Sequence, residues 1–191
     1  MVKQLTAITG PVRLSLANSA GCLLGSDYHL DMIRPGASIY GLKVSKSAQN
    51  PMRRVVHLLA QIIQIRNVDH PSTVGYGATH KINQPTKIAT LAMGYADGIS
   101  RASGQVSNKD NRPFATAFIN GKVAPIVGRI SMDLITIDVT QIPEAKPGIY
   151  AELIGNNISI DDLADISGTI GYEILTRLGQ RHHRIYKGLD N

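Results

Sequence analysis

Apolar residues recur along this chain in two rhythms, and the change falls near residue 50. Before it, the alternating stretch "PVRLSLA" (11–17) predicts a strand that runs into "NSAGCLLG", where Asn18 or Ser19 can cap a helix and Gly25 can stop it. The design then repeats. A short apolar strand around Met32–Ile33 meets Pro35-Gly36, where a helical turn is expected to open. Twice in forty residues a strand delivers the chain to a small-residue helix start, which is a βα rhythm.

After the loop "SKSAQNP" the pattern changes. "RRVVHLLAQIIQIRNV" is apolar and rich in β-branched residues and predicts a long strand. Further strands are expected in "KIATLAMGYADG", "ATAFINGKVAPIVGRISMDLITIDV" and "GIYAELIG", broken by the hairpin signal Asn120-Gly121, by Pro125 and by Pro147-Gly148. Closely spaced strands without intervening helices predict an all-β region from about residue 55 to 156. The end returns to helix. "SIDDLADISG" opens on Ser159 with Asp162 three residues on and closes at Gly168, "TIGYEILTRLG" predicts a second short helix ended by Gly179, and "RHHRIYKG" reads as a final strand.

Composition narrows the class. At 191 residues the chain can bury a useful core, and no run of about 18 apolar residues that would span a membrane is present. The N-terminus lacks the continuous apolar core of a signal peptide. Cys22 is the single cysteine, so an internal disulfide is impossible, in keeping with a reducing cytoplasm. The net charge of +6 raises the question of nucleic acid. Lysines and arginines are scattered, however, and few aromatics interleave with them. The six histidines (29, 57, 70, 80, 182, 183) show no metal-ligand spacing, and no metal is expected.

Candidate chemistry gathers at a few places. In "STVGYGATH", Tyr76 stands between two glycines, where the backbone is left almost without side-chain cover. A phenol there can be a turn ornament, a packing plug or an acid–base group. The two strand-to-helix junctions offer unpaired N–H groups suited to phosphate, with the Ser19 hydroxyl and the open backbone of Gly36 adding to them. Arg34, beside Met32 and Ile33, either meets an acceptor there or reaches water. "VGRISMDLITIDV" sets Arg129, Met132 and Asp133 together, as a charge pair within a hairpin or as backbone N–H groups facing an anion. "LAMGYADG" places Tyr95 before another glycine-rich turn.

Taken in order, "SLANSAG", "DMIRPGASIYGL", "VGYGATH", "IATLAMGYADGISR", "PIVGRISMDLITIDV" and "GYEILTRLGQRHHRIY" resemble the C-terminal half of bacterial alanine racemases, along nearly all of the chain. The resemblance implies a mainly β fold. Residues 1–50 would be the last two βα units of an N-terminal α/β barrel, and residues 51–191 a C-terminal β domain with two short helices. It implies a pyridoxal 5′-phosphate enzyme that interconverts L- and D-alanine for peptidoglycan, working as a cytoplasmic homodimer.

By the same resemblance, Ser19, Gly36, Ala37 and Tyr172 contact the phosphate, and Arg34 faces the pyridine nitrogen. A guanidinium does not give up its proton, so that nitrogen stays largely unprotonated. Tyr76 is implied as the base on the L face of the substrate Cα, opposite a lysine on the D face. An ordinary phenol titrates near pH ~10, so such a base needs cationic neighbours. Met132 is implied to bind the substrate carboxylate through its backbone N–H, and Tyr95 to line the entrance. Position 37 is more often isoleucine in relatives, and Ser131 stands where some carry cysteine. Neither Lys3 nor Lys43 matches the cofactor-lysine motif, so this stretch is expected to be inactive alone. Two other readings stand beside this one, a non-catalytic β module that associates with a partner and a racemase for serine or another amino acid.

Overall fold

The computed structural model describes residues 10–45, 49–104 and 114–188. The chain divides into two compact units, Met1–Val55 and Val56–Asn191.

In the first unit the expected strands at 11–17 and around Met32–Ile33 do not develop. They run side by side through a single parallel bridge, Asn18 to Arg34, with Arg34 N–H donating to Ala17 O at 2.9 Å and Asp31 N–H to Leu14 O at 3.1 Å. A lone parallel pair is a weak unit, because parallel strands draw their stability from burial within a larger sheet. Helix α1 (Ser19–Cys22) follows the first segment. Its cap is Asn18, whose Oδ1 accepts the Gly21 N–H at 3.0 Å. The helix ends before Gly25, which instead opens a 3-10 turn at Ser26–Tyr28. The second segment leads into a 3-10 turn at Ser38–Tyr40, stopped by Gly41 in the left-handed region.

The second unit is a closed barrel. Strand β1 (Leu58–Val68) pairs antiparallel with β4 (Thr86–Leu91) along its second half and with β8 (Tyr150–Ile154) along its first. A register shift near Ile62 bends β1 between these two partners. With β5 (Thr116–Ile119), β6 (Lys122–Pro125) and β7 (Ile135–Asp138) the order is β6-β5-β8-β1-β4-β7. Just past β6, Ile126 bridges Ile137 of β7, and Val127 N–H donates to Thr136 O at 2.9 Å, which joins the two ends of the sheet.

Alternation along the strands explains the interior. Leu58, Ala60 and Ile62 of β1 point inward and are buried, while Leu59, Gln61 and Ile63 are exposed. A six-stranded cylinder is narrow, and alanines fill much of it: Ala60 faces Ala151 and Ala117 faces Ala124 across neighbouring strands, all at most 1% exposed. Isoleucines 62, 119, 126, 135, 137 and 154 fill the rest at no more than 1% exposure. The β5–β6 turn is the one Asn120-Gly121 predicts, with both residues at positive φ (46° and 86°).

Around the barrel lie smaller pieces. A two-stranded hairpin, β2 (Ser72–Val74) with β3 (His80–Ile82), carries Tyr76 at its tip, and Val74 and Ile82 pack with Ile88 and Val127. Helix α2 (Ile160–Ser167) begins where Ser159 Oγ accepts the Asp162 N–H at 2.9 Å and stops at left-handed Gly168. Helix α3 (Gly171–Arg177) ends one residue short of its expected stop, with Leu178 as cap. Residues 181–188 do not form the predicted strand. The closed barrel offers them no edge. The segment instead folds back on the end of α3, Arg184 Nη2 donating to Leu178 O and Gly179 O at 3.0 Å each. Among the described residues no helix is long and apolar enough to cross a membrane, and no group of three or more metal-binding side chains is assembled.

Candidate active site

The expected site residues fall into two sets, one in each unit. Ser19, Arg34, Gly36 and Ala37 belong to the first. The bridge between Asn18 and Arg34 lays the two helix starts next to each other, and Ser19 Oγ, buried at the head of α1, accepts the Ser38 N–H at 3.2 Å. An oxygen engaged as acceptor keeps its own hydrogen to donate. A Cβ built on Gly36 would meet nothing within 4 Å, so the backbone is open to close approach there. Ala37 is buried beneath it. Neither helix start exceeds four residues, which leaves little macrodipole; what the two starts offer is individual N–H and O–H groups, with the Gly36 N–H already donating to Arg34 O at 2.9 Å.

Arg34 neither hangs free in water nor is desolvated. Its Nε–H donates to Ser15 Oγ at 3.1 Å and its Nη2 to Leu16 O at 3.3 Å, while the side chain stays exposed. Two of the five guanidinium donors are thereby fixed in direction, and the rest of the fork is pre-aimed. This donor set fits a ligand with a phosphate and an unprotonated ring nitrogen.

Tyr76, Tyr95, Met132 and Tyr172 belong to the second unit, where three turns meet. The first is the tip of the β2–β3 hairpin. Gly75 (φ 78°) and Gly77 (φ 75°) both take left-handed backbone, and Tyr76 between them is 70% exposed. Positive φ demands the glycines, and the space beside them is tight as well. A Cβ on Gly75 would come 3.1 Å from the Arg129 backbone N, and one on Gly77 would come 3.3 Å from the Arg129 guanidinium. The phenol stands bare because the backbone on either side of it presses against residue 129.

Arg129 is therefore not the partner of Asp133, as a charge pair within the hairpin would have it. Its guanidinium lies against the residue that follows Tyr76, and Asp133 instead takes Arg181 Nη2 at 2.7 Å. No local sequence signal separates these pairings, since Arg129 and Asp133 are four residues apart and Arg181 is 48 away.

The second turn is "GYADG". Gly94 has an extended φ of −151°, open to any residue, yet a Cβ there would sit 2.3 Å from Met132 O. The third turn, residues 128–134, lies directly against it: Tyr95 N–H donates to Ser131 O at 3.0 Å and Ala96 N–H to Met132 O at 2.9 Å. Tyr95 and Met132 are both exposed beside this junction. Tyr172 is exposed in the first turn of α3, and the far end of that helix touches the second turn, where a Cβ on Gly98 would come 2.5 Å from Arg177 O. The segment 128–134 thus contacts the Tyr76 tip through Arg129 and the Tyr95 turn through Met132.

A β-barrel with exposed tyrosines at its rim, preceded in the chain by two short helix starts bearing hydroxyl and N–H donors, sets the class, and comparison with known proteins gives the family. Residues 55–186 match the family model "Alanine racemase, C-terminal domain" and residues 1–44 match "Alanine racemase, N-terminal domain". The chain belongs to the alanine racemase family. Alanine racemase of Rhodospirillum rubrum is 47% identical over 180 residues, covering 93% of this chain and 46% of that protein; that of Rhizobium meliloti is 46% identical over 191 residues, covering 97% and 50%. Among solved structures, alanine racemase from Bartonella henselae with covalently bound pyridoxal phosphate matches with a TM-score of 0.82 at 37% identity, over 97% of this chain and 50% of that one. The enzyme from D-cycloserine-producing Streptomyces lavendulae matches at 0.86 and 29% identity, over 97% and 49%. The chain spans about half the length of the curated relatives it matches.

Proposed function

We propose that this chain supplies the tyrosine-bearing half of an alanine racemase, which interconverts L- and D-alanine with pyridoxal 5′-phosphate in a cytoplasmic homodimer and so provides D-alanine for peptidoglycan. When bound, the cofactor supplies the electron sink that makes the substrate Cα–H acidic. The chain's own residues supply binding, orientation and one of two proton-transfer groups. The Ser19 hydroxyl, the Ala37 N–H and the Tyr172 hydroxyl would hold the phosphate, with Gly36, whose own N–H donates to Arg34 O at 2.9 Å, leaving the backbone open to it. Arg34, aimed by Ser15 and Leu16, would donate to the ring nitrogen and keep its proton.

Tyr76 would exchange a proton with Cα on the L face. The Met132 N–H would bind the substrate carboxylate, and Tyr95 would line the entrance. The lysine serving the opposite face is expected from outside these residues, which makes the chain inactive alone. The observation that supports the reading is the Tyr76 tip: an exposed phenol between two left-handed glycines whose backbone lies against Arg129, with the ring bearing no packing duty. Co-expression with the barrel half of a family member tests it. D-alanine production should appear and should disappear on Tyr76→Phe; production that is unchanged in that variant refutes the role.

A further inference from the structure

The turns bearing Tyr95 and Met132 are joined to a third piece of chain for which the proposed chemistry has no use, the "RHH" of residues 181–183. Arg181 Nη2 donates to Asp133 Oδ1 at 2.7 Å, and its Nε lies 3.4 Å from Asp97 Oδ1. One guanidinium therefore spans a carboxylate from each turn. Asp97 has little freedom of its own, since its other oxygen accepts the Gly94 N–H at 2.8 Å and its side chain is only 13% exposed. The next residue adds a second hold, as His182 Nε2 lies 2.6 Å from Asp97 O. A carbonyl only accepts, so Nε2 carries the hydrogen.

We infer that Arg181 is a positioning residue, a clasp that keeps the Tyr95 turn and the Met132 turn in register by holding Asp97 and Asp133 together. This rests on the reading of Tyr95 and Met132 as substrate-site residues, but the clasp itself is a property of the chain. The two turns meet through backbone, Tyr95 N–H donating to Ser131 O and Ala96 N–H to Met132 O. A planar fork that engages two carboxylates at once adds the direction that the backbone contact lacks, and lysine, a point charge, cannot reproduce it. The bond to Asp133, followed by the charge of Asp97, holds the Arg181 guanidinium more firmly protonated than usual, which suits a fixed cationic strut.

The test has two arms. In the full chain, amide hydrogen exchange should show that Arg181→Ala raises the exchange rate at Tyr95 and Ala96 about tenfold while Leu91 and Ile137 in the barrel keep their protection. Asp133→Asn, which leaves Arg181 and the fold in place, should do the same, and Arg181→Lys should fall between. Unchanged exchange at Tyr95 and Ala96, or equal loss throughout the barrel, overturns the clasp.

In the co-expressed racemase, Arg181→Ala should raise KM for alanine on the order of tenfold with kcat nearly kept, and combining it with Asp133→Asn should add little. A fall in kcat at unchanged KM, or full additivity of the two substitutions, also overturns it. Failure of the functional reading looks different: Tyr76→Phe would then leave the activity untouched while the exchange arm still decides the clasp.

Discussion

The barrel interior and the turns at its rim are held in opposite ways. Inside, side chains do the packing: alanines face one another across strands and isoleucines fill the remaining volume. At the rim, backbone packs on backbone, and the side chain is what has been removed. Gly94 lies against Met132 O, Gly75 against the Arg129 N, Gly98 against Arg177 O and Gly128 against Val74 O. A core of the first kind tolerates exchange among apolar residues of similar volume. A junction of the second kind leaves little or no room for a Cβ, yet the side chains of Tyr76, Tyr95 and Met132 beside it stand exposed. The barrel is thus written in what residues bury, and its rim in where they have nothing to bury.

Substitutions can break that contrast at several levels. The largest effect expected is on chemistry alone: Tyr76→Phe should lower racemisation by the co-expressed enzyme by about 10²–10⁴-fold while leaving the thermal midpoint of the chain unchanged. A loss of stability in parallel would mean that the ring packs after all. Next comes the interior. Ile137→Ala should cost about 2–5 kcal/mol in denaturant unfolding, because the residue is fully buried and sits at the seam between β6 and β7.

Gly94→Ala follows, and it sharpens the comparison. One added methyl should displace the Met132 turn, raise KM for alanine and cost about 1–3 kcal/mol, comparable to strain at a forced backbone. If Gly94→Ala proves neutral by both measures, the rim is not held through backbone. Ser159→Ala should remove the α2 cap for about 1 kcal/mol, read as a small drop in thermal midpoint. Smallest is the exposed Glu173–Arg177 pair on α3, whose loss in Glu173→Gln should register at no more than about 0.5 kcal/mol.

Much of this was legible in the sequence. The long strand before Val68, the Asn120-Gly121 hairpin and the Ser159–Gly168 helix all appear where period and punctuation place them, because each is specified by residues close together in the chain. What the residues alone left open was set by pairing at a distance. The final "RHHRIYKG" has strand composition, but an element becomes a strand only where an edge awaits it, and closure through Ile126 and Ile137 removes the edges. The segments at 11–17 and Met32–Ile33 fail to extend for the converse reason, since among the described residues each pairs with the other alone, through one bridge. The β2–β3 hairpin has three residues per strand, too few for alternation to register.

The glycines flanking Tyr76 marked an unusual place without saying what approached it; Arg129 answers that. Arg181, the residue that bridges two of the rim turns, lies far along the chain from both carboxylates it joins, beyond the reach of any spacing rule.

The joint that shuts the cylinder is a slender one. There β6 and β7 are fastened by the bridge at Ile126–Ile137 and by the paired bonds between Val127 and Thr136, a main-chain N–H one way and the Thr136 hydroxyl the other. Two residues beyond Val127 comes Arg129. A hoop loosened at that joint would therefore be expected to shift the residue that Gly75 and Gly77 lie against, and to carry the phenol between them with it.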